Sequence, residues 1–331
     1  MNARQLAVPW NPASPAPEPR DAAVVVCTRD RAELLEGALR ALADAVSRDV
    51  EIIVVDSGST NARTREIAKR AGVTYVRSDT PGLSIARNIG LTATTREYIV
   101  FTDDDCVATA GFLPPLLAPF AGVDVGAAAG TLRDVSATSA EVASGEVELL
   151  RGVTAGLDAG HGALMAFRRS ALLELGGFDP VLGAGRRFGG AEDMDAFCRI
   201  LHAGLTVARV PMSSVTHINT RSDEDYVALS ENYGRGIGAM CAKWLRVAPA
   251  DGFRLSAVVA RRGLSRLLRR LRTRRGRAGQ LAYLRSLWTG YREARRLTLD
   301  GWVFTDPQPP VPVVLNGETP TTDSAAKRTI A

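Results

Sequence analysis

The segment Tyr98-Ile99-Val100-Phe101-Thr102-Asp103-Asp104-Asp105 decides how this chain is read. Its apolar half has the length and composition of a short buried strand. Its acidic half then falls at the carboxyl end of that strand, where open α/β sheets bind their ligands. If the strand continues, Asp103 and Asp105 alternate to the same side. Three adjacent carboxylates repel one another unless a cation or hydrogen-bond donors offset them. Oxygen ligands so placed suit Mg2+ or Mn2+, and such a cation in turn binds phosphate. On residue types alone a second reading stands beside this one, an acidic turn whose Asp105 caps the next helix.

Outward from that strand, the first hundred residues alternate regularly. Ala22–Cys27, Glu51–Asp56 and Val73–Arg77 are further apolar runs of strand length. Arg31–Ala45 carries Leu34, Leu35, Ala38, Leu39 and Leu42 at helical spacing. Arg63–Ala71, stopped by Gly72, and Leu83–Ala93 are the next helices. Short connections between alternating elements predict a parallel α/β sheet flanked by helices. Beyond Phe120 the pattern loosens. Strands are expected at Ala127–Gly130, Gly162–Phe167 and Thr206–Val210, and helices at Arg169–Leu175, Glu192–Ala203 and Asp223–Trp244. Gly234, Gly236 and Gly238 weaken the last of these. Ser136–Gly156 reads as a mobile loop or a short helix. The resulting organisation is a disordered Pro/Ala-rich leader (1–20), a main domain (21–245, halves meeting at 105/106), a basic helical extension (246–300) and a disordered tail (301–331).

The net charge of +5 over 331 residues is unevenly held. Phe253–Arg292 contains twelve arginines and no acid, so the remainder of the chain is acidic. Within it, Arg261–Arg277 has nine arginines in 17 positions, with Leu264, Leu267, Leu268 and Leu271 at helical spacing. That is a basic amphipathic helix, for which an anionic membrane surface is the favoured partner. Packing of its leucines on the acidic body comes second. Nucleic acid comes last, because no aromatic residue interleaves the arginines. The longest uncharged stretch, Cys106–Val123, contains Pro114, Pro115 and Pro119, which argues against a membrane-spanning helix. No secretory signal is recognisable at Met1–Arg20. The four cysteines show no metal-binding spacing, and reduced thiols fit a cytoplasmic location.

The turn after the first strand, Cys27-Thr28-Arg29-Asp30-Arg31, has none of the glycines a dinucleotide site needs, and no P-loop occurs. It offers instead a hydroxyl, a guanidinium and a carboxylate, which can hold a base or ribose or can simply cap a helix. Asp56, followed by Ser57-Gly58-Ser59-Thr60, ends the second strand at the same sheet edge and can accept from the imide N–H of a pyrimidine. Glu192-Asp193 opens a helix after Gly189-Gly190. The pair is either a charged first turn favoured by the helix dipole or a general base.

In this order the segments resemble glycosyltransferase family 2, over roughly Ala22 to Lys243. The similarity rests on Val24-Val-Val-Cys-Thr-Arg-Asp-Arg, Val54-Val-Asp-Ser-Gly-Ser-Thr, Gly82-Leu-Ser-Ile-Ala-Arg-Asn-Ile-Gly-Leu and Thr102-Asp-Asp-Asp. It extends to Leu175-Gly-Gly-Phe-Asp-Pro and Gly189-Gly-Ala-Glu-Asp-Met-Asp. The resemblance implies a GT-A fold with a Rossmann-like, mostly parallel central sheet, and an inverting, non-processive transfer from a nucleotide-sugar donor, a UDP-sugar favoured. It implies Thr28, Arg29, Asp30, Asp56, Ser57, Arg87, Asn88, Asp103 and Asp104 around the nucleotide. Mn2+ or Mg2+ would be held by Asp105 directly, by Asp103 through water or ribose, and by His217 as a third ligand or phosphate contact. Asp193 would be the general base and Glu192 would hold acceptor or sugar hydroxyls, while Asp195 would face solvent or form a helix pair. His161 would border the acceptor, and His202, by its place inside a helix, would serve packing or face the surface. The acceptor would be a saccharide, a lipid-linked glycan or a small metabolite, and Ser136–Gly156 with Gly183–Gly190 would form a lid over it. Asn61, Leu164 and Ala191 depart from the family pattern, the last with no evident cost. A non-catalytic protein binding sugar nucleotides or acidic polymers is the alternative of a different class, and a sugar nucleotidyltransferase is a second alternative.

Overall fold

The computed structural model describes residues 15–134, 145–218, 226–270, 274–306 and 312–314. The leader up to residue 14, residues 135–144 of the expected lid and the tail from 315 lie outside the described residues, as do the side chains of residues 270–276.

Four parallel strands form the first half: β1 (Ala22–Thr28), β2 (Glu51–Ser57), β3 (Thr74–Ser78) and β4 (Tyr98–Asp103). Between them run helices α1 (Ala32–Ala45), α2 (Arg63–Arg70) and α3 (Leu83–Ala93). β1, β2 and β4 carry unbroken apolar runs because both sheet faces are covered. Ala22, Val24 and Val26 point into one buried cluster, and Ala23, Val25 and Cys27 into the other. The spatial order is β3-β2-β1-β4, so the connections reverse direction between β1 and β4. A crevice opens at the carboxyl ends of strands flanking such a switch point, and here those ends are Thr28 and Asp103.

After β4 the sheet becomes mixed. In chain order follow β5 (Cys106–Ala108), α4 (Leu113–Leu117), β6 (Val125–Asp134), β7 (Glu148–Leu150), β8 (Leu164–Arg168), α5 (Arg169–Glu174), α6 (Glu192–His202) and β9 (Thr206–His217). The sheet continues β4-β8-β6-β9-β5, with β7 also on β9. Part of Ser136–Gly156, read as a loop or short helix, is therefore the strand β7, with a 3-10 turn at Val153–Asp158. β9 runs well past Val210, the end expected from the sequence. Pro211 has no N–H to give a ladder, and the pairing with β6 skips from Arg209 to Ser214 around it. The extension matters, because it sets His217 opposite Cys106 of β5.

Three helices close the chain: α7 (Tyr226–Val247), α8 (Pro249–Arg270) and α9 (Arg274–Ala294). The expected basic helical extension thus contains two helices, α8 and α9, and both pack on α7. The glycines that seemed to weaken α7 are where its backbone meets its neighbours. A Cβ on Gly234 would stand 2.3 Å from the Tyr283 carbonyl oxygen, and one on Gly238 2.0 Å from that of Leu287. Asp195, expected at the surface or in a helix pair, is in the pair but wholly buried. It accepts from Arg199 Nε (2.9 Å), Lys243 Nζ (2.7 Å) and Trp244 Nε1 (3.0 Å). Lys243 Nζ also donates to Asp179 at 2.6 Å. Residues 301–306, assigned to the disordered tail, are structured. Strands β10 (Leu299–Asp300) and β11 (Val303–Phe304) form a hairpin that buries Phe304, whose N–H donates to Asp179. A last strand, β12 (Pro312–Val314), pairs with the edge strand β3. Among the described residues no helix is long and apolar enough to cross a membrane.

Candidate active site

The acidic turn sits at the crevice between β1 and β4, and its three carboxylates point in different directions. Asp104 is buried and turned toward α1, accepting from Thr28 Oγ1 at 2.7 Å and lying 3.1 Å from Arg31 Nη1. Burial pushes its carboxyl up to about 6, against the pull of Thr28 and Arg31. Asp105 pairs with Arg31 through Oδ2, and His217 Nε2 approaches the same oxygen at 3.2 Å. Asp103, one-third exposed, keeps the most open side chain of the three. Burial of its surroundings raises its carboxyl, while Arg87 lowers it. Ligand atoms of Asp103, Asp105 and Cys106 lie within 4.8 Å of one another. Two carboxylates with an adjacent imidazole form a hard-to-borderline donor set, which fits Mn2+ or Mg2+. Arg31, which ties two of the carboxylates together, was not singled out in the sequence. It closes the same turn as Thr28, but nothing local says that it reaches across to β4.

The second half of the site is organised by Arg87 on α3. Its Nη1 donates to Glu192 Oε1 at 2.9 Å, and its Nη2 donates to the Gly162 carbonyl at 3.1 Å and stands 3.8 Å from Asp103 Oδ1. The guanidinium also lies over the Phe178 ring, 5.4 Å from its centroid. Burial first, and then the neighbouring Asp193, push the Glu192 carboxyl up to about 7, with Arg87 opposing them. Asp193 is half-buried. One of its oxygens accepts from the Gly162 N–H at 3.0 Å and the other from the Met194 N–H at 2.8 Å. Gly162 has no room for a side chain, since a Cβ there would come within 2.8 Å of Arg87 Nη2. Ala191, ahead of the acidic pair, adopts the left-handed conformation with φ 73°. The Ala in place of the more usual residue therefore carries a strain of about 1 kcal/mol, which the sequence did not reveal.

Most of the other residues expected around the nucleotide are engaged by protein partners. Asp56 is fully buried. Its Oδ1 accepts from the Ser59 N–H (2.8 Å), and its Oδ2 accepts from Tyr75 Oη (2.6 Å) and Arg77 (3.3 Å). Asp30 accepts from both the N–H and the hydroxyl of Thr60, joining the turns after β1 and β2. Ser57 Oγ accepts from the Gly82 N–H at 2.9 Å. Asn88 clamps the Phe178 backbone from both sides, donating to its carbonyl and accepting from its N–H, each at 2.7 Å. Arg29 is exposed. His161 is exposed beside Gly162, whereas His202 lies 2.8 Å from Asp251 and packs on Trp244 and Trp302. Gly183–Gly190, expected as a lid, is held at Arg186, which donates to the carbonyls of Pro180 (2.7 Å) and Pro81 (3.3 Å) and pairs with Asp306.

Comparison with known proteins places these features in a family. Residues 23–176 match the model of Glycosyl transferase family 2. A pre-mycofactocin glycosyltransferase of Mycobacterium tuberculosis is 28% identical over 236 residues, covering 66% of this chain and 47% of its own length. The chain thus spans about half the length of this curated relative. Among solved structures, a mannosyltransferase from Pyrobaculum calidifontis in complex with GDP-Man and Mn2+ superposes with a TM-score of 0.60 at 22% identity, covering 86% of this chain and 92% of the other. GalNAc-T7 with UDP, GalNAc and Mn2+ gives 0.52 at 18% identity, covering 70% and 50%. The chain accordingly has the GT-A fold, and its residues 23–176, from β1 to just after α5, match glycosyltransferase family 2.

Proposed function

We propose that this chain transfers a sugar from a nucleoside-diphosphate sugar to an acceptor hydroxyl, with inversion at the anomeric carbon. The observation that carries the reading is the position of Arg87. It stands within 4 Å of Asp103 in the acidic turn and of Glu192 beside the candidate base, so one guanidinium lines both halves of a single crevice. Asp103 and Asp105 are the residues that would hold a divalent cation, with His217 adjacent. Mn2+ in the two structural neighbours supports that assignment. When bound, such a cation stabilises the charge that develops on a departing diphosphate.

Asp193 is the proposed general base. Backbone N–H donors from Gly162 and Met194 fix its carboxylate, so it is held in place to take the acceptor proton as the anomeric carbon is attacked. A single displacement assisted in this way inverts the centre. Glu192, held by Arg87, is proposed to bind hydroxyls of the acceptor or sugar. The acceptor is proposed to be a saccharide or a lipid-linked glycan. Asp56, the candidate acceptor for a pyrimidine imide N–H, already has protein donors on both oxygens, so both pyrimidine and purine donors belong in the test.

A thermal-shift series with UDP- and GDP-sugars, each with and without Mn2+, tests the reading. Stabilisation by one nucleotide class that requires the cation supports it. No stabilisation by any nucleotide sugar in the presence of Mn2+ contradicts it.

A further inference from the structure

The two C-terminal helices present an apolar and basic surface that the body of the protein does not cover. Along α8, Leu255, Val259 and Gly263 face inward and are buried. Phe253, Ala257, Ala260, Leu264 and Leu268 follow one another at spacings of three and four on the opposite side, so they form one stripe. All five are exposed, with Phe253 at 70%, Leu264 at 57% and Leu268 at 60%. Of the leucines that suggested packing on the body, Leu264 and Leu268 therefore point away from it. Arg254 and Arg261 border the stripe on one side, and among the described residues no carboxylate pairs with Arg261, Arg266 or Arg269. Arg261, Arg262, Ser265, Arg266 and Arg269, with Asp158, line a shallow cavity of about 330 Å3. On α9, Leu281, Arg285, Trp288 and Arg292 are likewise exposed on one face.

We propose that this surface docks on an anionic lipid bilayer, with α8 lying in the plane of the interface. An exposed apolar stripe bordered by arginines is what an interfacial helix offers, and an exposed Trp beside Arg suits the same boundary. Charge selects the occupant. A second copy of this chain would set arginine against arginine. A nucleic acid would gain nothing from covering Phe253, Leu264 and Leu268. Acidic headgroups satisfy the guanidinium groups while the acyl boundary takes the stripe. This inference stands independently of the transfer chemistry, because binding is read without turnover.

Flotation of the full chain with vesicles tests it. Vesicles of phosphatidylcholine with phosphatidylglycerol should carry the protein, phosphatidylcholine alone should not, and added salt should weaken binding. The double variants L264S/L268S and R261E/R269E should each lower the bound fraction by roughly tenfold or more. Their melting temperature and their response to nucleotide sugar with Mn2+ should stay unchanged. Equal binding to neutral vesicles, no binding to either kind, unaffected variants, or displacement from anionic vesicles by duplex DNA that itself binds more tightly would each overturn the proposal.

Discussion

Arg87 Nη1 and Glu192 Oε1 lie 2.9 Å apart in a pair almost closed to solvent, linking α3 to the first turn of α6 across 105 residues of chain. The same guanidinium faces Asp103. A lysine has one ammonium and cannot span both directions. Arg87→Lys should therefore lower turnover by about 100-fold, the effect of a small displacement of reacting groups. Arg87→Met leaves the buried Glu192 carboxyl and the Gly162 carbonyl without their donor and should lower stability by about 1–3 kcal/mol. Product release and urea unfolding read the two effects. Normal turnover in Arg87→Lys would show that the shared wall has no role in the reaction.

Glu192 gives a signed pH dependence. Its carboxyl is raised from 4.5 to about 7, chiefly by burial. Between those values the native state holds a proton that the unfolded chain releases, so this group's contribution to stability is full below about 4.5 and is lost as pH rises through about 7. Urea unfolding of wild type and Glu192→Gln, run without metal from about pH 5 to pH 8, should show the wild type losing stability relative to the variant as pH rises. A difference that is flat with pH would rule out the raised carboxyl.

The buried group of Asp179, Asp195, Arg199 and Lys243 holds α6 against α7, and through Phe304 it holds the β10–β11 hairpin. Lys243→Met keeps the aliphatic volume and leaves two fully buried carboxylates short of a cation. It should lower unfolding stability by about 3–5 kcal/mol. Replacing Arg96, whose contact with Glu51 is partly exposed at 3.6 Å, should change stability by less than about 1 kcal/mol. Comparable losses in the two variants would contradict the placement of Lys243.

Gly238 sets two effects against each other. Helix propensity alone favours Ala over Gly by about 1 kcal/mol. The added methyl would meet the Leu287 carbonyl oxygen at 2.0 Å, and separating two packed backbones costs about 1–3 kcal/mol or more. Gly238→Ala should therefore destabilise. A rise in melting temperature would show that α7 and α9 are farther apart than described.

The elements that position the site were legible where one periodicity decided them. β1, β2 and β4 carry unbroken apolar runs, and α1 and α6 carry one clear apolar face, so Thr28, Asp103 and the Glu192–Asp193 pair fell into place. Features set by distant contacts were not legible. Pro211 reads locally as a strand stop, and only the skipped pairing with β6 shows the strand continuing to His217. The α7 glycines read as weak helix until α9 lies against them. Arg31 and Asp195 look like surface charges in sequence, because their partners are 74 and 48 residues away. Ala191 shows nothing in sequence of its left-handed backbone. Asp56 lies at the end of β2 and Asn88 on α3, where the sequence puts them, but their polar atoms hold the protein's own backbone and side chains.

The central claim is that Asp193 removes the acceptor proton while Asp103 and Asp105 hold the cation and diphosphate. It is tested most directly by comparing Asp193→Asn and Asp105→Ala for Mn2+-dependent nucleotide-sugar binding and for sugar transfer. The account predicts that Asp193→Asn binds the donor normally and loses transfer by about 10²- to 10⁴-fold, whereas Asp105→Ala loses binding as well. Transfer at the wild-type rate by Asp193→Asn would contradict it.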